Sequence, residues 1–191
     1  MPGRQTPPQA LRWNIAHDYE YMPLVIKTGT CTAGQILGGS DAAAGLLADA
    51  GNAFHPQLTG RGKNPLTGEV QSFAEIAADC LGHDIPWGVI ADAEFGMGEE
   101  AAAAAELLAK SGCGVLIARS LAPQMQAQLV AQGILPLTLL EPFDYEKFHE
   151  DDHLSIRGLD GLGEAHPLAV VIEHADEGIE KITVAHPWQQ G

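Results

Sequence analysis

The segment Asp92-Ala-Glu-Phe95-Gly96-Met97-Gly98 lies between an apolar run, Trp87-Gly-Val-Ile-Ala91, and an alanine-rich stretch, and Glu99 and Glu100 follow it at once. Glycines between a strand and a helix N-terminus let a ligand approach the free backbone N–H groups of the first turn. Alone, Gly-x-Gly also reads as a plain tight turn. A second candidate, His149-Glu-Asp-Asp-His153, contains residue types that bind divalent ions. In an acidic chain, a solvated turn is the simpler reading of that run. Cys31, Cys80 and Cys113 are far apart and form no CxxC, so neither a zinc nor an iron–sulfur site is signalled. Cys31 and Cys113 read as small core residues. Arg119 reads as a packing or ion-pair residue and Ser120 as a helix cap.

These residues need elements to position them. Leu24 to Lys27 predicts a strand, and His55 to Gly68, with Pro56, Gly60, Gly62, Pro65 and Gly68, predicts a loop. Ser72 and Glu75 form a capping-box pattern ahead of a helix ending at Gly82, with Phe73, Ile76, Ala77, Cys80 and Leu81 on one face. Trp87–Ala91 predicts a strand and Gly98 to Lys110 a second helix. Val115 to Ala118 predicts a strand, Ser120 to about Ala131 a third helix, and Leu135 to Leu140 another strand. This alternation predicts an α/β domain with a parallel βαβ core. After Glu141, Leu154–Ile156, Ala169–Ile172 and Lys181–Val184 predict a smaller antiparallel or mixed β section. Residues 1–23 are expected to form an N-terminal arm and 24–191 the domain.

The chain has 191 residues with Lys+Arg 10 against Asp+Glu 25, a net charge of −15. That balance argues against nucleic acid and against an anionic membrane surface as partners. It also makes a poor bulk field for an acidic substrate. No apolar stretch reaches the ~20 residues of a membrane helix. The odd cysteine count and polar, Pro-rich start predict a cytoplasmic protein.

Several motifs in order carry a family resemblance. Asp92-Ala-Glu-Phe-Gly-Met-Gly98 resembles the strand-to-helix motif Asp-Glu-Asn-Tyr-Gly-x-Gly-Ser-Ser-Arg-Glu of the aconitase C-terminal swivel domain, a group that includes the isopropylmalate isomerase small subunit. Arg119-Ser-Leu-Ala122 is similar to its Lys-Ser-Phe-Ala, and Gln132-Gly-Ile-Leu-Pro-Leu-Thr138 to its Gln-Gly-Leu-Leu-Pro-Leu-Thr. Pro142-Phe-Asp-Tyr-Glu-Lys-Phe-His149, Leu154-Ser-Ile-Arg-Gly-Leu159 and Leu24-Val-Ile-Lys-Thr-Gly-Thr-Cys-Thr32 are similar to further family segments. The resemblance is closest to the aconitase type and covers about Leu24 to Val184. It implies a swivelling β/β/α domain that closes over an iron–sulfur cluster held elsewhere. The family is a hydro-lyase family acting on hydroxy di- or tricarboxylates. The swivel domain supplies a serine that takes the proton and an arginine that holds a substrate carboxylate.

Here the family's Ser-Ser-Arg falls on Glu99, Glu100 and Ala101. Its Cys-Thr-x-Asp-His becomes Cys31-Thr32-Ala-Gly34-Gln35. Carboxylates therefore replace the anion clamp at a helix end that favours negative charge. Glu99 and Glu100 read either as first-turn stabilisers or as a general base for different chemistry. The implied ligand-binding loop is Phe95, Gly96, Met97 and Gly98 with Cys31 and Thr32. The chain is expected to be a stand-alone, pseudoenzyme-like module that binds a partner protein or a small ligand, a carboxylate or another metabolite. The alternative is the small subunit of a hydro-lyase with a large aconitase-like partner subunit. This chain is expected to bind no cofactor or metal itself, with any 4Fe–4S cluster in a partner chain.

Overall fold

The computed structural model describes residues 19–38, 46–48, 50–157 and 168–187. Most of the expected N-terminal arm lies outside the described residues. Strand β1 spans Tyr19–Thr28, beginning five residues before the expected Leu24. The early part was hidden because its pairing register shifts between Tyr19 and Met22, and Tyr21 sits at φ 53. Such a bulge breaks the period-2 alternation that marks a strand.

A short helix α1 (Ala33–Ile36) follows, then a β2 (Arg61–Lys63) and β3 (Val70–Ser72) ribbon within and after the expected loop. Three strand–helix units come next: α2 (Phe73–Gly82) and β4 (Trp87–Ala91), α3 (Ala101–Lys110) and β5 (Cys113–Ala118), α4 (Pro123–Ala131) and β6 (Leu135–Leu139). A 3-10 helix at Pro142–Lys147 leads into β7 (His153–Arg157), β8 (Leu168–Glu173) and β9 (Ile179–Ala185).

β1, β4, β5 and β6 pair in parallel, and β9, β8 and β7 continue antiparallel until β7 meets β1. The sheet is a closed seven-stranded barrel. The terminal β section is antiparallel, within the expected antiparallel or mixed reading, and forms the wall that closes the parallel half. Closure removes the exposed edges that an open sheet presents.

Strand period divides the core. Val89 and Ala91 of β4 and Leu116 and Ala118 of β5 face out under the helices, against Phe73, Ile76, Ala104, Leu108 and Met125. Ile90, Val115 and Ile117 face inward, against Leu135, Leu137, Phe148, Ile156, Val170 and Ile172. Buried on both faces, β4 and β5 read as unbroken apolar runs. β8 and β9 alternate, with one face toward solvent.

Two helix starts differ from expectation. α3 begins at Ala101, so Glu99 and Glu100 precede its first turn; Glu100 is the N-cap and makes no side-chain capping bond. α4 begins at Pro123 with Ala122 as its N-cap. Proline suits the first helical position because its missing N–H would be unpaired there. Ser120 is thus no cap; its Oγ accepts a 2.8 Å hydrogen bond from the Glu94 N–H. No helix among the described residues is long and apolar enough to cross a membrane.

Candidate functional site

The Asp92–Glu100 loop sits at the carboxyl end of β4, where α/β sheets commonly place ligands. Two neighbouring loops hold its backbone. The Phe95 N–H donates to Ser120 O (3.1 Å) and the Ala122 N–H to Phe95 O (3.1 Å). On the other side, the Gly96 N–H donates to Cys31 O (2.8 Å) and the Ala33 N–H to Met97 O (2.9 Å). Gly96 has φ +82, and a Cβ there would lie 2.2 Å from Cγ of buried Met125. Only glycine satisfies both conditions.

The predicted loop residues divide into two groups. Phe95 and Cys31 are buried and serve as anchors rather than ligand contacts. Burial pushes the Cys31 thiol up to about 12, so it is neither a thiolate nor a nucleophile at neutral pH. Met97, Gly98, Glu99, Glu100 and Thr32 are exposed. Gly96, Met97 and Gly98, with Ala122, Pro123 and Gln124, line an open cleft of about 380 Å³. None of these six residues carries a charge.

Around this backbone the polar groups have been rearranged. Thr32 and Gln35 form a complete capping box on α1: the Gln35 N–H donates to Thr32 Oγ1 (3.2 Å) and the Thr32 N–H to Gln35 Oε1 (2.9 Å). The Thr-x-x-Gln spacing was a readable signal for it. A Cβ on Gly34 would lie 3.2 Å from Glu100 Oε2. The Glu100 carboxylate therefore occupies space over the position where the resembling family carries aspartate. Among the described residues, neither the Glu99 nor the Glu100 side chain has a hydrogen-bond or ion-pair partner.

Arg119, at the end of β5, is engaged elsewhere. It binds Asp92 (3.0 Å) and Glu146 (3.4 Å), donates to Pro142 O, and lies 4.4 Å from the Tyr145 ring centroid. Lys27 Nζ also lies 4.4 Å from the Tyr145 ring centroid and donates to Phe148 O (3.0 Å). Burial lowers the Lys27 pKa. Sequence reasoning missed this Lys27–Tyr145–Arg119 stack, because its members are remote in the chain.

The His149–His153 run does not form the expected solvated turn. Asp152 is buried, and its Oδ2 accepts from the His149 N–H at 2.6 Å. Its Oδ1 lies 2.7 Å from His174 Nδ1, and His174 Nε2 lies 2.7 Å from Glu180 Oε2. Burial opposes charge on His174, but the two carboxylates outweigh it and raise its pKa. The His149 ring stacks on His174 with centroids 4.8 Å apart. His153 instead stacks on Tyr21 at 3.8 Å, and burial lowers its pKa.

The fold and its loop define a swivel-type α/β domain with an exposed turn at the end of a parallel strand. The profile of the family described as Aconitase C-terminal domain matches residues 46–142. The chain belongs to that family. It is 33% identical over 129 residues to a probable mitochondrial aconitate hydratase of Dictyostelium discoideum, covering 67% of this chain and 17% of that protein. It is 27% identical over 190 residues to a probable mitochondrial aconitate hydratase of Caenorhabditis elegans, covering 94% of this chain and 24% of that protein. The chain thus spans about a sixth to a quarter of these relatives. A crystal structure of 3-isopropylmalate dehydratase from Methanocaldococcus jannaschii superposes with a TM-score of 0.44 at 15% identity, covering 89% of this chain and 84% of that one.

Proposed function

We propose that this domain serves as a binding module on the aconitase swivel scaffold, taking a partner protein or small ligand without running the hydro-lyase step itself. The observation that carries this reading is the side-chain content of the β4–α3 corner. The cleft lining is neutral, two uncompensated carboxylates stand at its rim, and Arg119 is committed to Asp92 and Glu146. A tricarboxylate would meet repulsion where a clamp needs guanidinium donors.

A second reading, a hydro-lyase component, is favoured by the hydrogen-bonded loop backbone at the end of β4 and by the aconitate hydratase relatives. On that reading an aconitase-like large subunit, or sequence beyond this chain, supplies a 4Fe–4S cluster as Lewis acid. This chain's residues do not suit the cluster: Cys31, Cys80 and Cys113 are buried on separate segments. Burial pushes the Cys31 and Cys80 thiols up to about 12 and about 11. Three buried free thiols also support a reducing compartment such as the cytoplasm.

Calorimetric titration with citrate tests the first reading. The wild-type chain is expected to give no saturable binding, and the E99S/E100S/A101R variant to gain affinity about ten-fold or more. Saturable citrate binding by the wild type overturns it. So does native copurification with an iron–sulfur partner together with measurable hydration of a hydroxy acid, an outcome that establishes the second reading.

A further inference from the structure

We propose that His149, Asp152 and His174 form a binding site for one divalent transition-metal ion, with Glu180 positioning His174 from its far nitrogen, tying the segment before β7 to the β8–β9 hairpin. One ligand atom from each of His149, Asp152 and His174 lies within 4.8 Å of the others. Glu180 Oε2 lies 2.7 Å from His174 Nε2, on the edge of the ring away from Asp152, and holds that ring with Nδ1 toward the other two ligands.

The charge balance favours a cation. Two carboxylates face one imidazole, and among the described residues no lysine or arginine lies within ion-pair distance of either, although Lys27 and Lys147 act on Asp152 and Glu180 from further off. Lys147 is bound to Asp144 at 2.9 Å, and Lys27 donates to Phe148 O. A divalent ion bound at His174 Nδ1 takes the place of the proton between that nitrogen and Asp152 Oδ1, which leaves to solvent.

Two further features prepare the site. The Asp152 side chain is fully buried, and its Oδ2 is already oriented by the His149 N–H. A buried carboxylate is costly without a partner. The His149 ring is exposed and has no hydrogen-bond partner among the described residues, yet it is held against His174 by stacking. It is an available nitrogen donor beside the other two ligands once the ring turns out of the stack. Tetrahedral coordination at about 2.0–2.1 Å needs ligand atoms about 3.3 Å apart. Rotation of the exposed His149 ring closes the remaining distance. Nitrogen and oxygen donors without thiolate select Zn2+, Ni2+ or Cu2+ over Mg2+ and Ca2+.

The test is titration of the untagged full chain with Zn2+ against a colorimetric chelator, repeated with Co2+ by visible absorption. One ion per chain is expected, with the Co2+ bands of a nitrogen–oxygen site. His149→Ala and His174→Gln are each expected to weaken binding about ten-fold or more. His153→Ala and His83→Ala are expected to leave it unchanged. Since His149 is exposed, His149→Ala keeps the fold, checked by circular dichroism. Zn2+ is also expected to raise the Tm of the wild type and not of His149→Ala. The proposal is overturned by absence of saturable binding, by full affinity in His149→Ala, or by an equal loss in His153→Ala.

Discussion

The Glu99 and Glu100 side chains are exposed with no partner among the described residues, whereas Asp152 and Glu180 close on the two nitrogens of His174. The β4–α3 corner has a tightly held backbone, and the glutamates that follow Gly98 make no side-chain bonds among the described residues. The β7–β9 corner lies in the closing wall and concentrates buried and paired polar groups. The contrast teaches that a loop's shape and its chemistry are maintained by different interactions. Backbone hydrogen bonds to neighbouring loops hold the first corner regardless of which side chains follow Gly98. In the second, the side chains themselves hold the segments together.

The largest effect that would sharpen this contrast is expected from Gly96→Ala. Its Cβ would meet Met125 at 2.2 Å with φ at +82, so a loss of about 3 kcal/mol or more is expected in urea denaturation. Gly98→Ala meets only Ala33 at 3.8 Å and should lose less, about 1–2 kcal/mol from backbone strain. Equal losses would break the claim that the corner is shape-limited at Gly96.

Asp152→Ala comes next. It leaves the His149 N–H and His174 Nδ1 without their acceptor, and an expected cost of about 2–4 kcal/mol follows. The same denaturation series should place Glu99→Ala and Glu100→Ala within about 0.5 kcal/mol of wild type. A loss in Glu100→Ala comparable to that in Asp152→Ala would erase the difference between the two corners.

A smaller effect belongs to His153. Burial holds its folded pKa below the usual histidine value, so the unfolded chain binds that proton more readily. Its contribution is complete above about pH 6.5 and is lost as the pH falls through the lowered folded value. His153→Phe keeps an aromatic partner for Tyr21 and should flatten the acid limb of a Tm-versus-pH curve. An unchanged acid limb would assign that limb to other groups. Finally, Cys31 should resist alkylation at pH 8 in the folded chain and react after unfolding, because burial excludes reagent and keeps the thiol protonated.

The parallel half was legible because each strand is buried on both faces and each helix carries its own periodicity. Trp87–Ala91 was expected and found with the same bounds. The start of β1 was not legible, since the shift around Tyr21 breaks alternation. The helix starts at Ala101 and Pro123 were misplaced because glutamate and serine each have several local uses, and the tertiary contacts choose among them. Ser120 binds the Glu94 N–H across two loops instead of capping α4.

By itself the sequence determined the family, the βαβ order, the position of the Asp92–Gly98 turn and the Glu99-Glu100-Ala101 run that follows it. Motifs and periodicity are local properties, written within a few turns of chain. Only the tertiary structure decided that His149 works with His174 rather than with His153. The antiparallel register sets His153 opposite Glu173 and Glu173 opposite Ile179, which brings Asp152, His174 and Glu180 together at one end of three strands. That meeting depends on barrel closure, an outcome of packing the whole chain that no short segment encodes.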